Sequence, residues 1–302
     1  MKSALEERSK MPSLAGRTIG FIGLGLMGRP MCMNLHDAGA DLVIFNRSRP
    51  KLDEVAAQGL TPAESPRALA GRVETIIVMV SDAPAVATVL TADDGVIAGL
   101  NEGALVIDMG TTAVPETREF AALVRGRGAE YVDAPVSGGV LGAEAGTLAI
   151  MAGGSDAAMD KAMPVFRVLG ENITHVGDVG AGQVAKAANQ IIVGLTIGAV
   201  AEALTLARRS GVDPAKVRAA LQGGFAASRI LEVHGERMIT GSFEPGGKAV
   251  TQRKDLFQAL ALAKRAGLEL PATALNMALY DRLIAEGGGE LDHSALVKVI
   301  DV

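Results

Sequence analysis

Short apolar runs alternate with amphipathic stretches along the chain from Thr18 onward. The runs are rich in Val and Ile and end at Gly, Asp, Asn or Pro, which is typical of buried strands. The segments between them repeat their apolar positions at helical spacing. This alternation predicts a mainly parallel sheet with helices on both faces. The predicted strands are TIGFIG, DLVIF, ETIIVMV, ALVIDMG, AEYVDAP, TLAIMAGG and ENITHV.

The pattern changes after GDVGAGQ, because residues 184–209 contain no proline and only two glycines, and the later segments also have helical spacing. We therefore predict an α/β fold in which a Rossmann-type, doubly wound, mainly parallel sheet is followed by an all-helical C-terminal domain. A long helix of about 27 residues, roughly 40 Å at 1.5 Å per residue, joins them. The predicted sheet domain covers residues 17–179 and the helical domain residues 180–302. Residues 1–16 have no apolar core and are predicted to be a flexible tail, not a signal peptide.

The amino-acid composition favours a globular protein and argues against several other classes. The 302 residues are 49% hydrophobic and 21% charged, which is typical of a globular protein of two domains. A net charge of −5, an aromatic fraction of 3% and the absence of Trp argue against nucleic-acid binding. Cys32 is the only cysteine, which excludes an internal disulfide and favours the cytoplasm. The longest apolar stretch, residues 191–201, is shorter than the roughly 20 residues that span a bilayer, so no membrane segment is expected.

A glycine-rich turn is the first candidate binding feature. Gly23-Leu24-Gly25-Leu26-Met27-Gly28 follows the first predicted strand and opens a helix, which is the context of a dinucleotide-binding fingerprint. Gly23 permits a tight turn, Gly25 lets the backbone approach a pyrophosphate, and Gly28 lets helix and strand pack closely. The helix N-terminus supplies N–H groups to the phosphates. The alternative is a glycine turn that binds no ligand.

The end of the second strand indicates which nicotinamide cofactor binds. NAD sites usually place an acid there, on the ribose hydroxyl, whereas this chain has Asn46, Arg47, Ser48 and Arg49. Two guanidinium groups favour a 2′-phosphate, so NADP(H) is expected and NAD(H) is the alternative. Under the other interpretation the two arginines are ordinary solvated charges.

Other predicted strand ends add candidate site residues, because the carboxyl ends of parallel strands line the ligand crevice. Met79 and Val80 end one predicted strand and Thr111 follows another, so all three are expected near the cofactor. Ser137, Gly138 and Gly139 form a turn past a third strand, where N–H groups and a hydroxyl can bind an anion such as a substrate carboxylate. Taken alone, the same three residues also suit an ordinary turn.

The start of the long helix carries polar side chains ahead of an almost wholly apolar segment. Lys186, Asn189 and Gln190 are three and four residues apart and can share one helix face. A helix that is apolar all round is normally buried. Desolvation and the positive helix N-terminus both disfavour an ammonium group, so we expect a lowered pKa for Lys186 and a role in proton transfer. The alternative is a lysine that extends to solvent.

Four segments, in this order, resemble the signatures of the β-hydroxyacid dehydrogenase family: FIGLGLMGRPMCMNL, DAPVSGGVLGAEAGTL, GAGQVAKAANQIIVG and QRKDL. The family includes 3-hydroxyisobutyrate dehydrogenase, and the resemblance covers about residues 17–300. GGFAASRIL, FEPGGK and the DHSAL segment at residues 292–296 look nearest to its tartronate semialdehyde reductase branch.

The resemblance implies roles for single residues. Lys186 corresponds to the catalytic lysine, and Ser137, Gly138 and Gly139 correspond to the residues that hold the substrate carboxylate. Asn189 or Gln190 corresponds to the amide that orients the substrate. Lys254 is implied to lie beside the nicotinamide.

The resemblance also implies a reaction. The expected activity is NAD(P)H-dependent reduction of the aldehyde of a small 3-oxo acid, with tartronate semialdehyde giving glycerate. Oxidation of 3-hydroxyisobutyrate or another β-hydroxy acid is the alternative, and a non-catalytic NADP-binding sensor or assembly module is a rival of another class. A homodimer or homotetramer is implied. No metal is expected, because hydride transfer needs only the cofactor and the four histidines show no metal-ligand spacing.

Overall fold

The computed structural model describes residues 13–301, so most of the predicted N-terminal tail, residues 1–16, lies outside the described residues. The chain divides into two compact units, one ending at Lys186 and one beginning at Ala187. The division falls inside a helix that is continuous through it, whereas the sequence prediction places the domain boundary just before that helix.

A nine-stranded sheet forms the centre of the first unit. Its strand order is β3-β2-β1-β4-β5-β6-β8-β7, with β9 paired to β8. The pairs from β3 through β6 are parallel, and β8 is antiparallel to β6 and β7. The strands are β1 (Thr18–Ile22), β2 (Asp41–Phe45), β3 (Thr61–Pro62), β4 (Thr75–Val78), β5 (Leu105–Asp108), β6 (Glu130–Asp133), β7 (Val136–Ser137), β8 (Leu148–Gly153) and β9 (Gly170–Gly177).

Helices cover both faces of this sheet, because successive strand residues point to opposite sides. Ile19 and Phe21 belong to one apolar cluster with Met31 and Phe166 of the helices, whereas Ile22 belongs to a second cluster on the other face. The helices of this unit are α1 (Gly28–Asp37), α2 (Arg49–Ala56), α3 (Pro66–Ala70), α4 (Ala83–Thr91), α5 (Val96–Gly99), α6 (Val114–Arg125), α7 (Gly139–Ala145) and α8 (Asp156–Leu169).

The predicted α/β fold with a mainly parallel, doubly wound sheet is confirmed. Each of the seven predicted strands overlaps an observed strand. The two strands that were not predicted, β3 and β7, have two residues each, too few to carry a periodic pattern. Several predicted strands are longer than the observed ones, since β4 ends at Val78, β5 at Asp108 and β6 at Asp133. Met79, Val80 and Thr111 therefore lie in loops at the carboxyl edge of the sheet.

The second unit is helical, as predicted. Asp213 caps one helix by accepting from the Ala215 N–H (2.9 Å), and Ser228 caps another by accepting from the Leu231 N–H (3.0 Å). The helices are α9 (Ala181–Arg209), which begins in the first unit, α10 (Pro214–Leu221), α11 (Arg229–Thr240), α12 (Ala249–Arg265), α13 (Pro271–Ala285) and a 3₁₀ helix (His293–Val299).

The two glycines of α9 within residues 184–209 have a packing role. A Cβ atom at Gly194 would lie 2.9 Å from Asn276 Oδ1, and one at Gly198 would lie 2.8 Å from Asn276 Nδ2. Asn276 is buried on α13. The absence of side chains at these two positions therefore lets α13 approach α9 closely.

The expectation that α9 is buried all round is wrong for one side. Ile192 is 66% exposed and Leu206 is 69% exposed. Among the residues that the structure describes, α9 alone has the length and apolar composition to cross a membrane. The longest uninterrupted apolar stretch, residues 191–201, was too short to indicate this. Half of its most apolar segment is buried inside the structure, and core helices of globular proteins have the same length and apolar composition.

We expect the substitution Gly28→Ala to destabilise the first unit. A Cβ atom at Gly28 would lie 1.9 Å from the Gly23 carbonyl oxygen, and neither backbone group can rotate away. Such overpacking lowers the free energy of unfolding by about 3 kcal/mol. Gly25→Ala is the matched control, because its added Cβ meets no atom within 4 Å. Urea denaturation of both variants tests this, and equal stabilities would contradict it.

Candidate functional site

A side chain that follows β2 is hydrogen-bonded to the glycine turn between β1 and α1. Gly23 has φ +103°, and a Cβ there would lie 2.2 Å from the Met79 carbonyl oxygen, so the turn packs against the end of β4. The Leu24 N–H donates to Asn46 Oδ1 (3.0 Å), and Asn46 Nδ2 donates to the Ser48 carbonyl (3.0 Å). The Asn46 side chain therefore supports the turn, a role that the sequence prediction of a cofactor contact did not include.

A cleft opens beside this turn. Its volume is about 430 Å³, within the range of small-molecule sites. Arg29 and Glu54 line it and form an ion pair (2.8 Å). The side of Gly25 is open, and Leu26 is 51% exposed. The lining residues are Leu24, Gly25, Leu26, Arg29, Pro30, Met33, Lys51, Glu54, Val55, Val140 and Glu144. The backbone at Gly25 is therefore open on the side of this cleft.

The two arginines after β2 differ in their surroundings. Arg49 pairs with Asp53 one turn along α2, at 2.8 Å from Nε to Oδ1. Arg47 is exposed, and no carboxylate among residues 13–301 forms an ion pair with it. Arg47 is therefore the better placed of the two to meet an incoming anion.

Two buried carboxylates end adjacent strands. Asp108 ends β5 and is paired in register with Asp133 at the end of β6. Asp108 accepts from the Gly110 N–H (2.9 Å) and the Tyr131 hydroxyl (3.1 Å). Burial raises the pKa of Asp108 to about 7, and the charge of Asp133 adds to this while the hydrogen bonds oppose it. Neither carboxylate is among the predicted site residues, although each is an acid at the end of an apolar strand and so was visible in the sequence.

Asp133 holds the start of α9. Its Oδ1 accepts from the Gly180 N–H (2.7 Å) and its Oδ2 from the Gln183 N–H (2.9 Å). Burial raises the pKa of Asp133 to about 6, against the lowering effect of these backbone donors. The carboxylate thus takes the place of an N-cap, although it comes from a strand 50 residues away in the chain.

The Gln183 amide joins α9 to the loop after β5. Gln183 is 2% exposed, and its Nε2 donates to the Gly110 carbonyl (2.9 Å). Its Oε1 accepts from the Thr112 N–H (3.1 Å). Both ends of the loop that contains Thr111 are therefore bound to the first turn of α9. Gln183 is not among the predicted site residues, because nothing local to it reveals a partner 71 residues away.

Lys186 is buried beside the serine–glycine turn. Its side chain is 7% exposed, so it does not extend into solvent, and its Nζ donates to the Val136 carbonyl (2.7 Å). Ser137 follows Val136 directly, and Gly138 and Gly139 have φ +136° and +60°, conformations that favour glycine. The structure thus brings Lys186 and this turn together in the first unit.

In the second unit, Gln190 is the centre of a buried polar network. Its Nε2 donates to Asp255 Oδ2 (2.6 Å) and Gln252 Oε1 (3.1 Å), and its Oε1 accepts from Asn189 Nδ2 (2.7 Å). Lys254 Nζ lies 3.0 Å from Asp255 Oδ1 and its side chain is 24% exposed. The Gln190 amide is fully engaged, whereas Asn189 is half-buried and uses one of its donors in this network.

Two family models match successive parts of the chain. The NAD-binding domain of 6-phosphogluconate dehydrogenase matches residues 18–177. The NAD-binding domain of NADP-dependent 3-hydroxyisobutyrate dehydrogenase matches residues 180–300. Together they span nearly all of the described residues.

Individual proteins are similar over almost the whole chain. The 2-hydroxy-3-oxopropionate reductase of Escherichia coli (strain K12) is 47% identical over 284 residues, which cover 94% of this chain and 97% of that protein. The crystal structure of 3-hydroxyisobutyrate dehydrogenase from Salmonella typhimurium is 28% identical with a TM-score of 0.86, covering 94% and 99% of the two chains. A structure of Psf3 in complex with NADP+ and 2-OPP has 27% identity and a TM-score of 0.86, with coverage of 93% and 99%.

We expect Asp108 to make the stability of the protein fall as pH rises. Its pKa is about 7 in the folded protein, against 3.8 for a free side chain, so the folded state binds more protons between these values. The stabilisation is complete below pH 4 and is lost as pH rises through 7, with an upper limit on the order of 4 kcal/mol. Asp108→Asn, which cannot titrate, should make this dependence shallower, and the raised pKa of Asp133 accounts for part of the slope that remains.

Urea denaturation of both proteins from pH 4 to pH 8 measures the effect. Asp41→Asn, which removes an exposed carboxyl group, is the matched control and should follow the original curve. If Asp108→Asn loses stability with rising pH as steeply as the original protein does, Asp108 is not the source.

Proposed function

The chain belongs to the β-hydroxyacid dehydrogenase family of NAD(P)-dependent oxidoreductases, and we propose that it reduces the aldehyde of a small 3-oxo acid with NADPH. The proposed substrate is tartronate semialdehyde (2-hydroxy-3-oxopropionate) and the product is glycerate. The observation that carries the proposal is the buried Lys186, bonded to the backbone at the serine–glycine turn, in a chain 47% identical to a reductase named for this substrate.

The first unit has the features that a dinucleotide requires. Gly25 leaves open space at the glycine turn, and Gly28 starts α1 in close contact with Gly23. The N–H groups at the start of α1 suit the pyrophosphate. When bound there, the nicotinamide cofactor supplies the hydride that reduces the carbonyl carbon. Met79, Val80 and Thr111 are proposed to line its other half.

Lys186 is proposed as the general acid of the reduction. Proton donation to the carbonyl oxygen forms the hydroxyl group of the product, and such general acid catalysis contributes about 10²-fold or more to the rate. The bond from Nζ to the Val136 carbonyl restricts where the proton can be delivered. Ser137, with the backbone N–H groups of Gly138 and Gly139, is proposed to bind the carboxylate. Binding at this second point orients the aldehyde for reaction.

Asn189 is proposed as the amide that contacts the substrate. Gln190 is the weaker candidate, because its oxygen and both N–H hydrogens already have partners. Gln190 then has a positioning role, since its oxygen fixes one donor of Asn189 and leaves the Asn189 oxygen for the substrate. By the family resemblance, Lys254 is proposed to lie beside the nicotinamide.

A second candidate substrate is 3-hydroxyisobutyrate, favoured by the second family model and by the Salmonella typhimurium structure. With this substrate the reaction runs in the oxidative direction: the hydride passes to the oxidised cofactor and Lys186 accepts the hydroxyl proton as a general base, while the roles of the carboxylate-binding and amide residues are the same. The preference for NADPH over NADH rests on the exposed Arg47 and on the absence of an acid at the end of β2.

Steady-state assays with a panel of semialdehydes and β-hydroxy acids and both nicotinamides test the function. We expect the highest kcat/KM for tartronate semialdehyde with NADPH. Lys186→Ala should lower kcat by at least about 10²-fold while NADPH binding, followed by fluorescence, stays nearly unchanged. Lys161→Ala, which removes an exposed lysine from the same unit, is the matched control. Normal turnover by Lys186→Ala would refute its role, and cofactor binding without turnover on the whole panel would favour a non-catalytic protein.

Arg47→Ala should weaken the binding of NADPH more than that of NADH. The loss of a charge-assisted bond to the 2′-phosphate is worth about 1.5–3 kcal/mol, so the KM for NADPH should rise about 10- to 100-fold while that for NADH changes little. Arg49→Ala, whose guanidinium is engaged by Asp53, is the matched control and should have a smaller effect. An equal loss for both cofactors, or a larger effect of Arg49→Ala, would contradict this assignment.

A further inference from the structure

We propose that His234 and His293 in the second unit bind a divalent transition-metal ion of the zinc type. Their Nε2 atoms lie 3.2 Å apart. Two imidazole nitrogens that share a tetrahedral zinc ion at 2.0–2.1 Å are separated by about 3.3 Å. The two rings therefore stand at the spacing that one shared ion requires.

The two ligands come from separate segments. His234 lies on α11 and His293 begins the 3₁₀ helix, 59 residues later in the chain. Because the two histidines are so far apart in the sequence, their spacing along the chain does not indicate a metal site, and no metal was expected. Both side chains are partly exposed, so water molecules can complete the coordination of the ion. An ion here links α11 to the C-terminal segment.

A buried carboxylate lies next to His234, on the side of the ring that is away from His293. Asp292 Oδ1 lies 3.3 Å from His234 Nδ1, the ring nitrogen that does not face His293. Ligating histidines generally direct their second nitrogen at a carboxylate or carbonyl, which selects the tautomer and makes the ligating nitrogen more basic. The tautomer with the hydrogen on Nδ1, the side of this carboxylate, leaves the His234 Nε2 lone pair for the ion. One ligand atom from each of these three residues lies within 4.8 Å of the others.

Asp292 is held firmly in this position. Its Oδ1 accepts from the Ser294 N–H (3.0 Å), and its Oδ2 accepts from the Gly246 N–H (2.9 Å) and pairs with Arg237 (2.7 Å). Arg237 meets the carboxylate oxygen away from His234, so the carboxylate lies between the guanidinium and the proposed ion. Repulsion between the two cations is thereby reduced.

A hydrogen bond between the two imidazoles is the competing explanation of the 3.2 Å distance. In that arrangement one Nε2 carries a hydrogen and the other accepts it. The pair then binds no ion, and its stability is independent of metal. The two explanations therefore differ in a measurable way.

Metal titration of the full chain distinguishes them. The protein is first dialysed against EDTA and then titrated with Co²⁺, whose visible absorption reports coordination by nitrogen, and with Zn²⁺ in competition. We expect one Co²⁺ per chain, displaced by Zn²⁺. At a Zn²⁺ concentration 100-fold above its Kd, the Tm should rise by about 5 °C. The proposal would be overturned if the unsubstituted protein gave neither a cobalt spectrum nor a Zn²⁺-dependent shift in Tm.

Two single substitutions assign the ligands. His234→Gln and His293→Gln should each weaken Co²⁺ binding by at least 10-fold. His36→Gln, which removes a histidine from α1 in the other unit, is the matched control and should bind Co²⁺ normally. Circular dichroism establishes that each variant is folded. Unchanged Co²⁺ affinity in both folded variants, or an equal loss in His36→Gln, would overturn the proposal.

Discussion

The carboxylate of Asp133 is the constraint on which the candidate site depends. It accepts two backbone N–H groups at the start of α9 and fixes the end of the helix that carries Lys186. A helix N-terminus carries partial positive charge, so an ionised carboxylate there gains both hydrogen bonds and a favourable dipole interaction. Burial opposes ionisation, and the net result is a pKa raised to about 6, so the carboxylate is ionised at neutral pH.

The same strand end also sets the surroundings of Lys186. From Asp133 the chain passes to Val136, whose carbonyl accepts from the lysine, and then into the serine–glycine turn. Gln183, one helical turn before Lys186, binds the loop after β5 through both ends of its amide. The loop presents a carbonyl and an N–H group, and the Gln183 amide matches both because it carries a donor and an acceptor on separate atoms. Strand, loop and helix therefore position the lysine jointly.

Features governed by local pattern were predictable from the sequence. The glycine turn and the seven longer strands follow from residue spacing, and the apolar segment that follows the first turns of α9 made the burial of Lys186 expected. Asp108 and Gln183 were not assigned, because their roles depend on partners that only the folded sheet brings near. His234 and His293 are a further case, since 59 residues separate two rings that meet in space. Pairings at long sequence separation leave no periodic signal.

The helix α9 is held by polar contacts in each unit taken by itself. In the first unit these are the bonds to Asp133 and from Gln183, and in the second they are the contacts of Gln190 with Gln252 and Asp255. Each of these buried polar groups costs free energy unless it is fully bonded, so together they favour one register of the helix over alternatives.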